Sequence, residues 1–305
     1  MDDAENRIGR FLRARRELVR PEEVGIADLG RRRVPGLRRE ELAMLAGVSA
    51  DYYVRLEQGR DHHPSEQVLD ALAGALRLDD DATAHLHELA RPAPRRRHRA
   101  PARVERVRPS LQRLMDAWAQ SPAHVLGCRM DVLAANPMAL VLNPAQRVGT
   151  NVVRSMFLDP EFQAVHPNFE RAAAGTVASL RAQVGPDLDD PLLHELVGEL
   201  SLKSELFRKL WARHDVHAKT HGTKHLVHPI VGELELDYES FTVNGADGQM
   251  LIVYHAQPDT ASARALALLS SMVAVSPRDG SRPLPPSARA PEPAPSGPTP
   301  DGSSR

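Results

Sequence analysis

Cysteine, aromatic residues and long apolar runs are scarce in this sequence. The 305 residues include one cysteine, so no disulfide can form within the chain. Aromatic side chains make up 4% of it, which predicts cores built from aliphatic residues. No apolar run approaches the ~18 residues of a transmembrane helix, and the N-terminus MDDAENRIGRFLRARR lacks the apolar stretch of a signal peptide. These absences predict a cytoplasmic protein that does not enter a membrane.

Lysine is absent from residues 1–110, where all the basic side chains other than histidine are arginines. This region has 22 arginines and 19 carboxylates, for a net charge of +3, while the rest of the chain has −4, which gives −1 overall. The asymmetry is mild, and it is compatible with an N-terminal region that binds a polyanion. The length allows two domains of ordinary size, and the 42% apolar content allows packed cores.

Changes in composition divide the chain into four zones. Residues 1–92 show helical periodicity, and residues 93–109 are rich in arginine and proline, which is typical of an exposed linker. Residues 110–276 mix helical and strand patterns. Residues 277–305 are rich in proline, serine and glycine, so we expect a disordered tail that cannot bury enough surface to fold.

The first zone predicts an all-α domain of about five helices. Their expected positions are 4–19, 38–46, 50–58, 65 onward and 81–90. The third zone predicts an α+β domain. Its helices are expected at 111–120, 136–142, 161–184, 189–199, 203–213 and 262–273. Its strands are expected at 123–126, 132–133, 224–228, 233–243 and 250–255, with the sequence NGADG at 244–248 closing a hairpin between the last two.

The segment from Arg39 to Gly59 has the spacing of a helix–turn–helix. Gly47 suits a left-handed helix end, and Ser49 suits the N-cap of the next helix. Because only about three residues separate the two helices, their axes should cross steeply, which lets the second helix enter a DNA major groove.

Helical spacing assigns different roles to the adjacent tyrosines Tyr52 and Tyr53. If Leu56 points inward, Tyr53 does too, because residues three apart share a helix face, and Tyr52 then lies outward. The candidate DNA contacts follow from this orientation. We assign base edges to Ser49, Ala50, Asp51 and Arg55, the sugar–phosphate backbone or a thymine methyl to Tyr52, and phosphates to Arg38, Arg39 and Arg60.

The ordered set Leu-Ala, Gly-Val-Ser and Leu-Glu-x-Gly between residues 42 and 59 resembles the phage-repressor-type (Xre family) helix–turn–helix. The resemblance implies a bacterial transcription regulator that binds double-stranded operator DNA, and we expect a homodimer. It also implies an ion pair between Glu57 and an arginine of the first helix, for which Arg16 is the main candidate. The sequence departs from the family at Arg39, where many members have a glutamine; arginine can take over its phosphate contact.

The C-terminal zone resembles the MmyB-like regulator ligand-binding domain. The resemblance rests on SPAHVLGCRMDVLAANPMAL, WARHDV, KHLVHPIVGELELDYESF and QMLIVYHAQP. Together with the N-terminal motif it covers about residues 5–275. It implies a PAS-like α+β fold with a cavity, and at least one relative has a fatty acid there. Ala135 departs from the family, in which an aromatic residue is common at this position, and so do His217, His221 and His225.

A fatty-acid-like ligand needs an apolar lining and a polar anchor. Phe207 and Trp211 are candidates for the lining, although such residues can equally be plain core. The candidate polar contacts are Arg154, His214, His228 and Asn136. Of these, Asn136 can instead cap the helix that begins at Pro137.

Five histidines between residues 214 and 228 recur at spacings of three and four, which on one helix could assemble a metal site. Gly222 and Pro229 argue against a helix there, so we expect a polar loop entering a strand, with neither metal nor cofactor. The enzymatic alternative is a hydrolase that uses His214 and Asp215, for which no nucleophile partner is visible.

The C-terminal zone could control DNA binding in two ways. In the first, ligand occupancy repositions the two DNA-binding domains of a dimer through the linker and so changes half-site spacing. In the second, the C-terminal domain senses no ligand and recruits a protein partner to the operator.

Overall fold

The computed structural model of the chain describes residues 6–26, 36–61, 63–91, 105–185, 190–246 and 248–275. Most of the predicted linker and the whole predicted tail lie outside these residues, so the four zone boundaries stay predictions. No helix in the described ranges is long and apolar enough to cross a membrane.

The N-terminal domain is all-α, as the periodicity predicts. In the described part of the chain its helices are α1 Arg7–Leu18, α2 Arg39–Leu45, α3 Ala50–Glu57, α4 Glu66–Ala75 and α5 Asp80–Ala90, with a 3-10 helix at Pro21–Val24 that we did not predict. Ser65 and Asp79 cap α4 and α5, because their side chains accept hydrogen bonds from backbone amides of the first turn. Among the described residues, its largest fully buried side chains are Phe11, Leu12, Leu37, Leu42, Tyr53, Leu56, Leu72, Leu76 and Leu86.

The C-terminal domain is α+β, as predicted. Its strands are β1 Ala123–Leu126, β2 Val132–Ala135, β3 His221–His228, β4 Gly232–Thr242 and β5 Met250–His255. Every pairing between these strands is antiparallel, in the order β2-β1-β5-β4-β3. Its helices are α6 Pro109–Asp116, α7 Pro137–Leu142, α8 Val152–Leu158, α9 Pro160–Ala164, α10 Phe169–Val184, α11 Pro191–Lys203, α12 Glu205–Ala212 and α13 Ala261–Val275.

Helices cover both faces of this sheet. Along β5, Ile252 and Tyr254 point toward a core shared with the helices from α7 onward. Leu251 and Val253 point to the opposite face, where Met115 of α6 is fully buried. The alternation of side chains along a strand therefore builds two separate cores from one sheet.

Two helix predictions in this domain were wrong. The single helix expected at 161–184 is two helices, α9 and α10. Pro167 lies between them; proline has no amide hydrogen to donate and disfavours the helical conformation of the residue before it. Helix α8 was missed, although Asn151 marks its start: the side chain accepts a hydrogen bond from the amide of Arg154 at 2.9 Å.

Candidate functional site

The turn between α2 and α3 has the geometry that the sequence predicts. Gly47 has a positive φ of 66°, which glycine adopts without a steric penalty. The amide of Val48 donates to the carbonyl of Ala43 at 3.0 Å, which closes the end of α2. Ser49 caps α3 by accepting a hydrogen bond from the amide of Tyr52 at 3.1 Å. The turn is therefore held by short-range contacts on both sides.

The exposure of α3 confirms the orientation inferred from helical spacing. Tyr53 and Leu56 are fully buried, whereas Ala50, Asp51 and Arg55 are exposed. Tyr52 is half-buried and packs against the domain core, so it is less of a surface residue than we expected.

The two charged candidates for base contacts bind each other. Arg55 donates to the carboxylate of Asp51 one helical turn earlier, and the two side chains are 47% and 76% exposed. Such a pair stabilises a helix by only a few tenths of a kcal/mol. A base edge can therefore replace either partner at little cost.

Glu57 accepts hydrogen bonds from two arginines rather than the single one we expected. Nε of Arg16 donates to it at 2.9 Å, which confirms the predicted ion pair, and Nε of Arg39 donates to it at 2.8 Å. Burial opposes ionisation of Glu57, but hydrogen bonds led by Arg16 hold its pKa below the usual value. The guanidinium of Arg39 thus ties α2 to α3, which competes with the phosphate contact we assigned to it.

Arg38 and Arg60 flank the helix–turn–helix and are exposed. Arg38 precedes α2, and its amide donates to the carboxylate of Glu41 at 2.7 Å. Arg60 follows α3. The geometry leaves both side chains available to phosphates.

The two domains dock through residues 214–218, which we call the docking segment. Val216 is buried in the N-terminal core, and Asp215 forms an ion pair with Arg15 of α1. The carboxylate of Asp81 in α5 lies 3.1 Å from the ring of His217 and accepts the amide of Ala218 at 2.8 Å. The C-terminal domain thus holds α1 and α5.

His214, which we considered as a polar contact for a ligand, lies at this interface between the two domains. Its ring packs edge-on against Phe11 with centroids 6.5 Å apart. Arg181, 2% exposed, donates to Nδ1 of His214 at 3.3 Å and to the carbonyl of Trp211 at 2.7 Å. Burial and the charge of Arg181 lower the pKa of His214 to about 3, so its ring is neutral and its role is that of an interface residue.

Phe207 and Trp211 belong to the packed core of the C-terminal domain. Phe207 is fully buried and its ring stacks on Trp211 with centroids 5.8 Å apart. Arg181 covers the Trp211 ring at 4.0 Å. Both side chains therefore fit the alternative that we gave for them, which is a structural role in the core.

Three of the candidate polar contacts are engaged within the protein. Asn136 is fully buried: its oxygen accepts the amides of Ala123 and Ala139, and its nitrogen donates to backbone carbonyls, so it is a cap and leaves no atom for a ligand. His228 donates from Nε2 to the carbonyl of Val141 and accepts backbone amides at Nδ1, which also removes it as an anchor. Arg154 is exposed and paired with Glu199 at 2.8 Å.

Two surface clefts accompany these groups in the described structure. One of about 380 Å³ lies between α1 and the end of α12, with His214 in its wall. The other, of about 270 Å³, contains Arg154 and Asp131. The interior cavity implied by the resemblance stays a prediction.

A family model for the MmyB-like transcription regulator ligand binding domain matches residues 107–269, more than half of the 305-residue chain. The chain belongs to this family. A model for a helix-turn-helix domain matches residues 7–86. The protein is therefore a DNA-binding transcription regulator with a ligand-binding domain. No curated protein matches it.

The histidine-rich stretch of this MmyB-like regulator is not helical: it runs from the docking segment into β3, which contains His221, His225 and His228. No group of three or more His, Cys, Asp and Glu side chains in the described ranges could hold a metal ion. His214 and Asp215, the pair considered for hydrolysis, bind Arg181 and Arg15 at the domain interface. Both matching families are regulatory rather than enzymatic.

Sequence patterns missed the residues that connect the two domains. Arg15 and Asp215 are 200 positions apart, so no local spacing links them. Arg181 lies in a helix whose periodicity identifies a buried face but not its partners. The sequence did offer a signal for a second set of residues that our predictions omitted. Lys219 and Lys224 are two of only four lysines in the chain.

Proposed function

We propose that the protein is a sequence-specific regulator whose operator affinity is controlled by a small, mostly apolar, fatty-acid-like molecule in the C-terminal domain. The family match supports a ligand in that domain, and the exposed face of α3 supports reading of a major groove. Ser49, Ala50, Asp51, Tyr52 and Arg55 meet base edges and sugars in this proposal, and Arg38 and Arg60 meet phosphates.

The observation that carries the control step is the docking segment. Its Val216 completes the core of the DNA-binding domain, and the residues on either side bind α1 and α5. A ligand that moves the segment therefore changes contacts on the helices that support α3. This contact and repositioning through the linker can both act in a homodimer, which we also propose.

The two adjacent aspartates of α5 test this control step. Asp81 binds the docking segment, whereas Asp80 is exposed and serves as the matched control. Operator sequences are first selected from random duplexes with the purified full chain. The affinity for the selected duplex is then measured with and without dodecanoate. We expect the effect of dodecanoate to shrink at least about threefold in Asp81→Asn and to persist in Asp80→Asn. Equal effects in both variants would contradict the proposal.

Native mass spectrometry of the purified chain separates this function from recruitment of a protein partner. A co-purifying small molecule of acyl-chain mass supports control by a ligand. If none is found and neither dodecanoate nor dodecanol changes operator affinity, the recruiting role is favoured instead.

A further inference from the structure

The four lysines of the chain fall into two groups. Lys203 and Lys209 lie on helix surfaces, where each binds a glutamate one turn away, at 2.8 Å and 2.7 Å. Lys219 and Lys224 differ, because no carboxylate of the described residues lies within the 4.0 Å that defines an ion pair. Within the part of the chain that the structure describes, these two ammonium groups therefore have no counter-ion.

Both of these lysines reach a pair of tyrosines on the sheet face to which Ile252 and Tyr254 point. Nζ of Lys224 donates to the hydroxyl of Tyr254 at 3.4 Å. Nζ of Lys219 lies 5.0 Å from the ring centre of Tyr238. The two tyrosines are partners in β4 and β5, with ring centres 6.2 Å apart. The strand pairing thus brings two cations and two hydroxyls together.

Gly222 allows Tyr238 to take this position. It is the register partner of Tyr238 in β3, and a Cβ atom there would lie 3.0 Å from the tyrosine hydroxyl. A glycine inside a strand often marks such a close approach. The tyrosine ring therefore lies over bare backbone, beside the lysines.

A buried polar atom without a partner marks the same place. His124 of β1 is 2% exposed, and its Nδ1 has no hydrogen-bond partner. Its ring centre lies 5.7 Å from that of Tyr254. Ser240 of β4, whose register partner in β5 is Ile252, also has a buried hydroxyl oxygen without a partner. Native proteins rarely leave such groups unpaired, because each loses its hydration without replacement.

Burial and mutual repulsion disfavour two protonated lysines in this cluster. Burial, and for Lys219 also the neighbouring charge of Lys224, lowers the pKa of both lysines to about 8. Burial and then the two lysines lower the pKa of His124 to about 3, which keeps it neutral. A carboxylate placed here would supply the missing counter-charge and accept hydrogen bonds from the ammonium and hydroxyl groups.

The surroundings of the cluster indicate what such a carboxylate would be attached to. Leu226, Leu236 and Ile252 lie on the same sheet face and belong to the main apolar core. An acid with an apolar chain fits both the charged end and these neighbours, whereas a highly polar anion would fit only the first.

We propose that Lys219 and Lys224, with the hydroxyls of Tyr238 and Tyr254, bind the carboxylate of an apolar acid, and that His124 donates a further hydrogen bond to it. This inference rests on the proposed function and names the acidic group by which the ligand is recognised. Lys219 also follows Ala218, whose amide is held by Asp81 of the DNA-binding domain. A carboxylate bound to Lys219 therefore acts on the last residue of the docking segment.

Isotope labelling of the lysine ε-methylene groups tests the site directly, because only four signals are expected. Dodecanoate is titrated into the full chain below its micelle concentration, and dodecanol, which has the same chain length and no charge, is the matched ligand. We expect the signals of Lys219 and Lys224 to shift saturably with dodecanoate alone. Lys203 and Lys209 serve as internal controls that stay in place.

Substitutions complete the test. Lys219→Met and Lys224→Met remove the charge and keep an apolar stem, so we expect folding to persist while the Kd for dodecanoate rises about tenfold or more. Lys203→Met is the matched control, and binding of dodecanol, followed by the combined fluorescence of the two tryptophans, Trp118 and Trp211, should not change.

The outcomes separate this inference from the proposed function. If both ligands change the tryptophan fluorescence but neither moves the Lys219 and Lys224 signals, the carboxylate site is rejected and control by an apolar ligand stands. If neither ligand binds at all, both proposals fail.

Discussion

Two clusters of buried or half-buried charge distinguish the two domains. In the N-terminal domain, Glu57 binds both Arg16 and Arg39, so a carboxylate stands between two cations. In the C-terminal domain, Lys219 and Lys224 lie close together, and no carboxylate among the described residues forms an ion pair with either of them. The first cluster contains an anion that binds both cations, whereas the described residues provide no such anion in the second.

The difference indicates which charges stabilise the fold and which ones destabilise it. A buried ion pair with good geometry is costly to break, because removing one partner leaves the other unpaired. Two neighbouring cations without an anion should show the opposite effect, because removing one of them relieves both the repulsion and the cost of desolvation. We therefore expect substitutions in the two clusters to have opposite effects on the stability of the ligand-free protein.

The largest expected effect is at Glu57. Glu57→Gln removes the buried carboxylate that Arg16 and Arg39 share and leaves Arg16 only the half-exposed Glu17 at 3.9 Å. The free energy of unfolding should therefore fall by about 3–5 kcal/mol, measured by urea denaturation. Glu205→Gln, which removes an exposed partner of Lys209, is the control and should leave the midpoint unchanged. A loss at Glu57 as small as that at Glu205 would show that the network is not structural.

The adjacent tyrosines of α3 should also differ. Tyr53→Ala opens a cavity in the core and should cost about 3–5 kcal/mol. Tyr52→Ala should cost less, because this side chain is only half-buried, and should weaken binding to the selected operator. Thermal unfolding and fluorescence anisotropy measure the two effects. Equal stability losses would be inconsistent with the orientation of α3.

The lysine cluster should appear in the pH dependence of stability. In the folded chain both lysines have a pKa of about 8, against 10.5 for an ordinary lysine. Between these values the unfolded chain binds more protons than the folded one, so stability should gain a rising contribution as pH increases from 8 to 10.5. Lys219→Met and Lys224→Met should reduce this contribution and raise the melting temperature at pH 7. Lys203→Met should do neither, and an unchanged pH profile in all three variants would remove the contrast between the two clusters.

The smallest expected effect on stability is at the exposed pair of α3. Arg55→Ala should change the free energy of unfolding by no more than about 0.5 kcal/mol. It should nevertheless weaken binding to the selected operator by about 1–3 kcal/mol and relax the preference at one base pair. Lys203→Ala, which breaks another exposed pair one helical turn apart, is the control for both measurements. If Arg55→Ala weakened binding to all sequences equally, Arg55 would be a phosphate contact instead.

Local patterns predicted the helix–turn–helix well. Gly47, Ser49 and the inward face of Tyr53 and Leu56 depend on hydrogen bonds and spacings within about four residues, which can be read along the chain. The same reasoning failed for α9 and α10, because helical periodicity continues across Pro167 while the backbone cannot. The cap expected for Asn136 is local as well, because its side chain accepts the amide of Ala139. The partner of His228 could not be read this way, because the carbonyl of Val141 is 87 positions away along the chain.

The sequence by itself determined the two fold classes, the recognition helix and the family. Only the tertiary structure decided which charges meet. Arg39 joined Glu57, Asp215 of the docking segment joined Arg15, and β-strand register placed Lys224 beside Tyr254, 30 positions away. The physical reason is that caps and periodicity act over one or two helical turns, whereas the balance of charge in a buried cluster depends on distances in space that no local pattern encodes.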